Sequence, residues 1–243
     1  MNAMKINGST LKWFAMASMV IDHLAAVVLM PAFGIFTVLT LGDAWQLGND
    51  AALCYGMRQI GRIAFPIFCF LLVEGLVHTH SRGAYLRNLI VLAVVSEMPY
   101  NLCRTGNLID FSEQNTIWTL VLGFLTCCGL DWLDAKSAPQ PLALKKAALV
   151  GAAMLLAWFL NTDYDAFGVA FIVLLYLLRN SRTEQCMIGA IVCLFGEAMA
   201  ALAFVPIYFY NGQRGKQPKW LFYAFYPTHL LVLYFTRLWW IGW

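Results

Sequence analysis

Apolar runs of about 20 residues recur along the whole 243-residue chain, and they constrain the fold more than any other feature. A helix of about 20 apolar residues is long enough to cross the hydrocarbon layer of a bilayer. The runs are continuous and do not alternate with polar residues, which favours helices over strands. The sequence therefore predicts an all-α, polytopic transmembrane helix bundle that forms a single integral membrane domain over residues 1–243.

The positions of the spans follow from the apolar runs and the loops between them. We predict spans at roughly 11–31, 51–78, 83–101, 115–133, 142–160, 166–179, 185–210 and 220–240. Gly196 and Pro206 favour a broken or re-entrant segment in the seventh span, so the count is eight or nine. The net charge of +3 gives no reason to expect nucleic acid as a partner, and membrane lipids are the expected surroundings.

Basic residues are concentrated in alternate loops, which predicts the orientation of the chain. If the N-terminus is cytoplasmic, the cytoplasmic loops and helix ends contain Arg82, Arg87, Lys136, Lys145, Arg179 and Arg182. The outer loops at 32–50 and 161–165 contain aspartates and neither Lys nor Arg. One loop conflicts with this pattern, because a count of eight spans places Arg214 and Lys216 of the loop 210–219 outside.

Asp22 and His23 lie side by side within the first apolar run. An aspartate near the bilayer centre costs about 2.5–3.5 kcal/mol on insertion scales, so we expect it to face the bundle interior and to have a partner. One interpretation is a hydrogen bond that packs two helices together. The other is a site in which His23 transfers protons.

Arg58 and Arg62 are four residues apart in the second span and share one helix face. Two arginines on one face repel each other unless anions compensate them. The candidate counter-charges are an anionic substrate group or the carboxylates of Asp22, Glu97, Asp163 and Asp165. Alternatively, the arginines reach the outer interface. Pro66 predicts a kink one turn past Arg62.

Further polar residues occur in the other spans. Tyr226 and His229 are three residues apart in the last span and share a face, as an acid–base pair or as a structural hydrogen-bonded histidine. The predicted outer half also contains Glu97, Asn115 and Asp165. Near the cytoplasmic end, Glu74 precedes a basic rim that suits phosphates or anionic lipid headgroups and consists of His78, His80, Arg82 and Arg87.

Six stretches resemble the TraX family of bacterial membrane proteins, which is named for the acetylase that modifies the N-terminus of conjugative F-type pilin. They are "IDH" (21–23), "RQIGRIAFPIFCFLLVEG" (58–75), "SEMPY" (96–100), "QN" (114–115), "YNGQRG" (210–215) and "FYPTHLL" (225–231). The resemblance covers nearly the whole chain.

This resemblance implies a location in the bacterial cytoplasmic membrane and a relation to multi-span acyltransferases. Such enzymes take an acyl group from cytoplasmic acyl-CoA and deliver it to an outer acceptor by means of a membrane-embedded histidine. His23 and His229 both fit that description. The acceptor stays open among a pilin N-terminus, a sugar, a peptide and a small amine.

We therefore predict an acyl-CoA-dependent O- or N-acyltransferase, with acetyl-CoA as the expected donor and without a metal. His23 is the general base, and the catalytic group also contains Asp22, Arg58, Arg62, His229 and Tyr226. The predicted substrate-binding residues are Glu97, Asn115, Asp165 and Glu74. The predicted CoA-binding residues are His78, Arg82, Arg87, Arg214 and Lys216.

Two other functions use the same residues. A proton-coupled transporter needs buried Asp, Glu, His and Arg side chains as well, but the two halves of the chain show no inverted repeat. A non-catalytic membrane scaffold does not need so many intramembrane charges.

Overall fold

The computed structural model describes residues 6–136, 142–216 and 218–242. Within these ranges the chain forms helices and no β-strand, which confirms the all-α prediction. Four helical stretches are long and apolar enough to cross a membrane: Gly8–Ala32, Asn49–His78, Thr116–Lys136 and Leu142–Phe159.

Every predicted span coincides with helical structure. In chain order the helices are α1 (Gly8–Leu24), a π-helical turn (Ala25–Leu29), α2 (Met30–Ala32), α3 (Leu41–Gln46), α4 (Asn49–Gly61), α5 (Ala64–His78), α6 (Arg82–Thr105), α7 (Thr116–Lys136), α8 (Leu142–Phe159), α9 (Asp165–Leu177), α10 (Arg182–Gly196), a 3-10 helix (Ala198–Ala203), α11 (Phe204–Tyr208) and α12 (Lys219–Ile241).

Helix α3 lies in the segment that we predicted as an outer loop, and a capping box begins it. The Thr40 hydroxyl accepts a hydrogen bond from the Asp43 backbone, while the Asp43 carboxylate accepts one from the Thr40 backbone. Hydrogen bonds from the backbone and side chain of Thr40 hold the pKa of the exposed Asp43 carboxyl below its ordinary value.

Two of the predicted spans are interrupted. The second breaks at Arg62 itself, between α4 and α5, so the prediction of a kink one turn further along was wrong. The physical reason is that Pro66 has no N–H, which leaves the carbonyl group of Arg62, four residues earlier, without its helical donor. The seventh span breaks at Glu197, within the segment for which we predicted a break.

The chain divides into two compact units. The first comprises the described residues of Met1–Phe68, Met98–Leu108 and Cys186–Trp243. In it, α1 packs against α4, and α12 packs against α1 and the π-helical turn. The second comprises Cys69–Glu97 and the described residues of Ile109–Gln185, and α7, α8 and α9 pack against one another in it. The prediction of a single membrane domain stays a prediction.

The loop that follows α11 is bound to the start of the described chain. The Ile6 N–H donates to the Phe209 carbonyl at 3.0 Å, and the Gly8 N–H donates to the Gln213 carbonyl at 2.8 Å. Gly215 has φ +76°, and a Cβ built there would lie 2.6 Å from the Asn7 side-chain oxygen, so this turn requires glycine. The "YNGQRG" loop therefore lies at the same end of the first unit as the beginning of α1.

Candidate active site

All six residues that we predicted as catalytic lie in the first unit. They come from the last turn of α1 (Asp22 and His23), from the end of α4 and the break that follows it (Arg58 and Arg62), and from the middle of α12 (Tyr226 and His229).

The Asp22 carboxylate and the Arg58 guanidinium form an ion pair. Arg58 Nη1 lies 2.5 Å from Asp22 Oδ2, and only 13% of the Asp22 side chain and 26% of the Arg58 side chain are exposed. A charge-assisted hydrogen bond of this kind is short and strong. Asp22 was among the predicted counter-charges for the arginines, and the same oxygen lies 4.0 Å from His23 Nε2.

The close approach of α1 and α4 depends on a glycine and a serine. A Cβ built on Gly61 would overlap the Asp22 side chain, so only glycine leaves room for this carboxylate. The Ser18 hydroxyl, one turn before Asp22, donates to the Ile60 carbonyl at 2.6 Å. The Ile60 carbonyl also accepts the Ile63 N–H at 3.2 Å, so Ser18 adds a second hydrogen bond where α4 ends.

Arg62 forms an ion pair with a residue that we did not predict as its counter-charge. Arg62 Nε lies 3.4 Å from Glu197 Oε1, so the breaks in two helices meet at this pair. Non-helical backbone at membrane depth is tolerated where it is buried in protein or lines a water-filled cavity. The sequence signal was a glutamate inside an apolar run, directly after Gly196.

The two site histidines are directly hydrogen-bonded. His23 Nδ1 and His229 Nε2 are 2.7 Å apart, and the ring planes are nearly parallel at 7°. His229 Nδ1 lies 2.9 Å from the Phe225 carbonyl oxygen, one turn earlier in α12. The Tyr226 ring lies 5.7 Å from the His229 ring, centroid to centroid. A π-helical turn follows His23, as is frequent at functional sites.

In the second unit, Glu97 and Asn115 are in direct contact. The fully buried Asn115 amide donates to the Glu97 carboxylate and, at 2.9 Å, to the Ala93 carbonyl. Trp118 Nε1 also donates to Glu97, at 3.0 Å. Asp165 begins α9 with φ +48°, and one of its carboxylate oxygens is buried. Substrate binding by Glu97, Asn115 and Asp165 stays a prediction.

Charged side chains near the predicted cytoplasmic end of the second unit are paired with each other. Glu74 Oε1 lies 2.9 Å from Arg182 Nη2, and the carbonyl oxygen of Glu74 lies 2.9 Å from His78 Nδ1. Arg82 Nη2 lies 2.5 Å from Asp131 Oδ2, and Asp131 also accepts a hydrogen bond from the Tyr176 hydroxyl.

The five predicted CoA-binding residues are distributed over both units. His78, Arg82 and Arg87 are exposed in the second unit, and Arg214 and Lys216 are exposed on the loop of the first unit.

The sequence did not predict a role for Arg237. This residue is buried, and its guanidinium donates to the Cys103 carbonyl at 2.9 Å, so it caps the end of α6. In the ranges that the structure describes, no group of three or more His, Cys, Asp or Glu side chains is arranged to hold a metal ion.

Apolar helices that enclose ion pairs and a histidine pair define a polytopic helical membrane protein with an internal polar site. The chain belongs to the TraX family, because the family model described as "TraX protein" matches residues 7–237. This match confirms the resemblance that the sequence motifs indicated. The chain is also similar to the "Probable fimbrial assembly protein FimC, serogroup H1" of Dichelobacter nodosus, with 26% identity over 206 residues, which cover 73% of this chain and 81% of that protein. No solved structure matches the chain.

Proposed function

We propose that the protein is an integral membrane acyltransferase that moves an acyl group, acetyl in the simplest case, from acyl-CoA to a hydroxyl or amine acceptor. The observation that carries this proposal is the hydrogen bond of 2.7 Å between His23 and His229, next to the Asp22–Arg58 ion pair. A paired and partly buried histidine is suited to general-base catalysis.

The reaction needs one proton acceptor and one site of charge stabilisation. His23 takes the proton from the acceptor O–H or N–H while that oxygen or nitrogen attacks the thioester carbonyl carbon. The new C–O or C–N bond forms, the C–S bond breaks, and His23 returns the proton to the CoA thiolate. Arg58 and Arg62, held in place by Asp22 and Glu197, stabilise the negative charge on the carbonyl oxygen.

The proposed location is the bacterial cytoplasmic membrane, with the N-terminus in the cytoplasm. The loop 210–219 is bonded to residues 6–8, so it lies on the same side as the start of α1. In this proposal Arg214 and Lys216 are cytoplasmic, which agrees with the other loops that contain Lys and Arg. The segment from α10 to α11 is re-entrant in this proposal, as Gly196 and Pro206 led us to expect.

The donor reaches the site from the cytoplasm in this proposal. CoA carries phosphate groups, and arginine and lysine side chains bind phosphate through charge-assisted hydrogen bonds. The exposed candidates for such phosphate contacts are His78, Arg82 and Arg87 in the second unit and, separately, Arg214 and Lys216 in the first. The name of the Dichelobacter nodosus relative, a probable fimbrial assembly protein, supports a pilin subunit as one acceptor to test.

One observation also supports a proton-coupled transporter. The breaks of two helices meet at the Arg62–Glu197 pair, and discontinuous helices near the membrane midplane form the substrate sites of many transporters. Transport predicts substrate-dependent proton flux in liposomes without any consumption of acetyl-CoA. Acyl transfer predicts consumption of acetyl-CoA without substrate-dependent proton flux.

The test is a transfer assay with purified protein in lipid nanodiscs. Acetyl-CoA with a labelled acetyl group is incubated with a short peptide that has a free N-terminus or with a sugar, and labelled product and free CoA are measured. We expect the wild-type protein to release CoA and His23→Ala to lose this activity. Thr236→Ala, which removes only an exposed hydrogen bond from the Thr236 hydroxyl to the Val232 carbonyl within α12, is the control that retains it. Wild-type turnover in His23→Ala would remove His23 from its role.

A further inference from the structure

The two histidines of the site make different hydrogen bonds, and the difference assigns their roles. We propose that His229 is a positioning residue that fixes the tautomer of His23, so that His23 acts as the base through Nε2. This inference rests on the proposed function and deepens it, because it gives His229 a role of its own and names the nitrogen of His23 that takes the proton.

The proton positions follow from the Phe225 carbonyl oxygen. A carbonyl oxygen only accepts hydrogen bonds, so His229 Nδ1, at 2.9 Å, carries a proton and donates it. A neutral imidazole has one N–H, and His229 Nε2 therefore carries a lone pair. The 2.7 Å bond to His23 must then be donated by His23 Nδ1. A neutral His23 with its proton on Nδ1 has a lone pair on Nε2.

The imidazole rings of His23 and His229 are both neutral in this proposal, because a further positive charge is unfavourable in this site. His229 is 9% exposed, and an imidazolium there would be a further buried positive charge. The carboxylates of the site, Asp22 and Glu197, are already paired with the guanidinium groups of Arg58 and Arg62. With neutral rings, both nitrogens of His229 and Nδ1 of His23 are satisfied, and His23 Nε2 is the nitrogen available to an acceptor.

The surroundings of His23 Nε2 suit a base. The nearest Asp22 carboxylate oxygen lies 4.0 Å away, which is too far for a hydrogen bond but close enough to stabilise the imidazolium that forms when Nε2 takes a proton. His229 does not need to touch the reacting atoms. It holds the His23 ring in one orientation, as the buried carboxylate orients the histidine in a catalytic triad.

Two contacts with Phe225, one through its ring and one through its backbone carbonyl, hold His229 in this orientation. The Phe225 ring lies nearly parallel to the His229 ring, at 10° and 4.8 Å between centroids. The Phe225 carbonyl belongs to the preceding turn of α12, so a single helix supplies both contacts. His229→Phe keeps the volume of the ring but removes the acceptor for His23, whereas His229→Gln keeps an amide oxygen that accepts a hydrogen bond.

The first measurement is nitrogen-15 NMR of histidine-labelled protein in nanodiscs, with the two signals assigned by their loss in His23→Gln and His229→Phe. We expect neutral His23 to carry its proton on Nδ1 in the wild-type protein and to carry it on Nε2 in His229→Phe. This readout needs no substrate. A His23 proton on Nε2 in the wild-type protein would overturn the inference.

The second measurement is the rate of acetyl-CoA consumption. We expect kcat to fall about 10²- to 10⁴-fold in His229→Phe, the range of general-base effects, with KM for acetyl-CoA unchanged. His229→Gln should recover part of the lost kcat. Wild-type kcat in His229→Phe would contradict the positioning role.

The two proposals fail in different ways. If the wild-type protein consumes no acetyl-CoA but His23 has its proton on Nδ1, the proposed function is wrong and the tautomer assignment stands. If the wild-type protein consumes acetyl-CoA but the proton is on Nε2, only the positioning role is wrong. Should His229→Phe fail to fold, the wild-type spectrum and the kcat of His229→Gln decide the question.

Discussion

The two compact units use their polar side chains differently. In the second unit, arginine side chains form ion pairs with carboxylates of neighbouring helices, as in the Arg182–Glu74 and Arg82–Asp131 pairs. In the first unit, the Asp22–Arg58 pair has the same form, but a histidine lies against it, 4.0 Å from the carboxylate. That histidine is bound to a second histidine through one ring nitrogen only.

This difference shows that a charge inside an apolar helix does not by itself mark a reactive group. Both units contain such charges, because any polar side chain in the bilayer needs an internal partner. In the first unit the Asp22 carboxylate lies near the His23 nitrogen that we propose as the base, whereas the ion pairs of the second unit tie helices together.

The largest effect is expected from the Asp22–Arg58 pair. Asp22→Leu and Arg58→Met each leave a partly buried charge without its partner, so each should lower the free energy of unfolding by about 1–3 kcal/mol and abolish acetyl transfer. The double variant should regain most of the stability but none of the activity. Thermal unfolding and the transfer assay measure both effects. Return of transfer in the double variant would show that this pair is only structural.

The next effect concerns the glycine that admits Asp22. Gly61→Ala places a methyl group where the Asp22 side chain lies, so we expect a loss of about 1–3 kcal/mol in unfolding free energy together with a lower kcat. Gly56→Ala in the same helix is the matched control, because a Cβ there meets nothing within 4 Å. If both variants behave alike, close packing at Gly61 does not position Asp22.

A smaller effect on activity is expected from the Glu74–Arg182 pair of the second unit. Glu74→Gln or Arg182→Met alone should destabilise the protein by about 1–3 kcal/mol, since each leaves one charged partner unmatched. Replacing both should restore stability, and the transfer rate of this stable double variant then shows whether Glu74 only ties helices together or also binds substrate. This experiment also tests the prediction that Glu74 binds substrate. Loss of transfer in the stable double variant would support substrate binding and weaken the contrast between the units.

The smallest effect is expected at the exposed end of α6. Arg87→Gln removes one charge that would attract CoA phosphates, so KM for acetyl-CoA should rise a few-fold, and less at high salt, while kcat stays constant. Arg104→Gln, near the opposite end of the same helix, is the control with unchanged KM. An equal change in both variants would argue against a specific phosphate contact.

Much of this architecture could be predicted from the sequence. The apolar runs predict every long helix, because the length that crosses a bilayer is fixed by its thickness. The grouping of Asp22, Arg58 and His229 follows from the cost of exposing such residues to lipid, which turns them toward the bundle interior.

Other features could not be predicted. The Arg62–Glu197 pair depends on how two broken helices are rotated and placed, and local sequence does not contain that information. The helix breaks at Arg62, one turn before the kink that we predicted, although Pro66 causes the break as expected. Helix α3 was missed even though its capping residues, Thr40 and Asp43, are a readable signal.

Acceptor-dependent release of CoA by wild-type protein and by His23→Gln tests directly whether a histidine at this site catalyses acyl transfer. Both proteins are purified in nanodiscs and compared at equal folded fraction. We predict that wild type releases CoA when acetyl-CoA and a peptide with a free N-terminus, or a sugar, are present. His23→Gln should be slower by about 10²- to 10⁴-fold while it unfolds at the same temperature. Equal rates in the two proteins would contradict a histidine-based acyl transfer at this site.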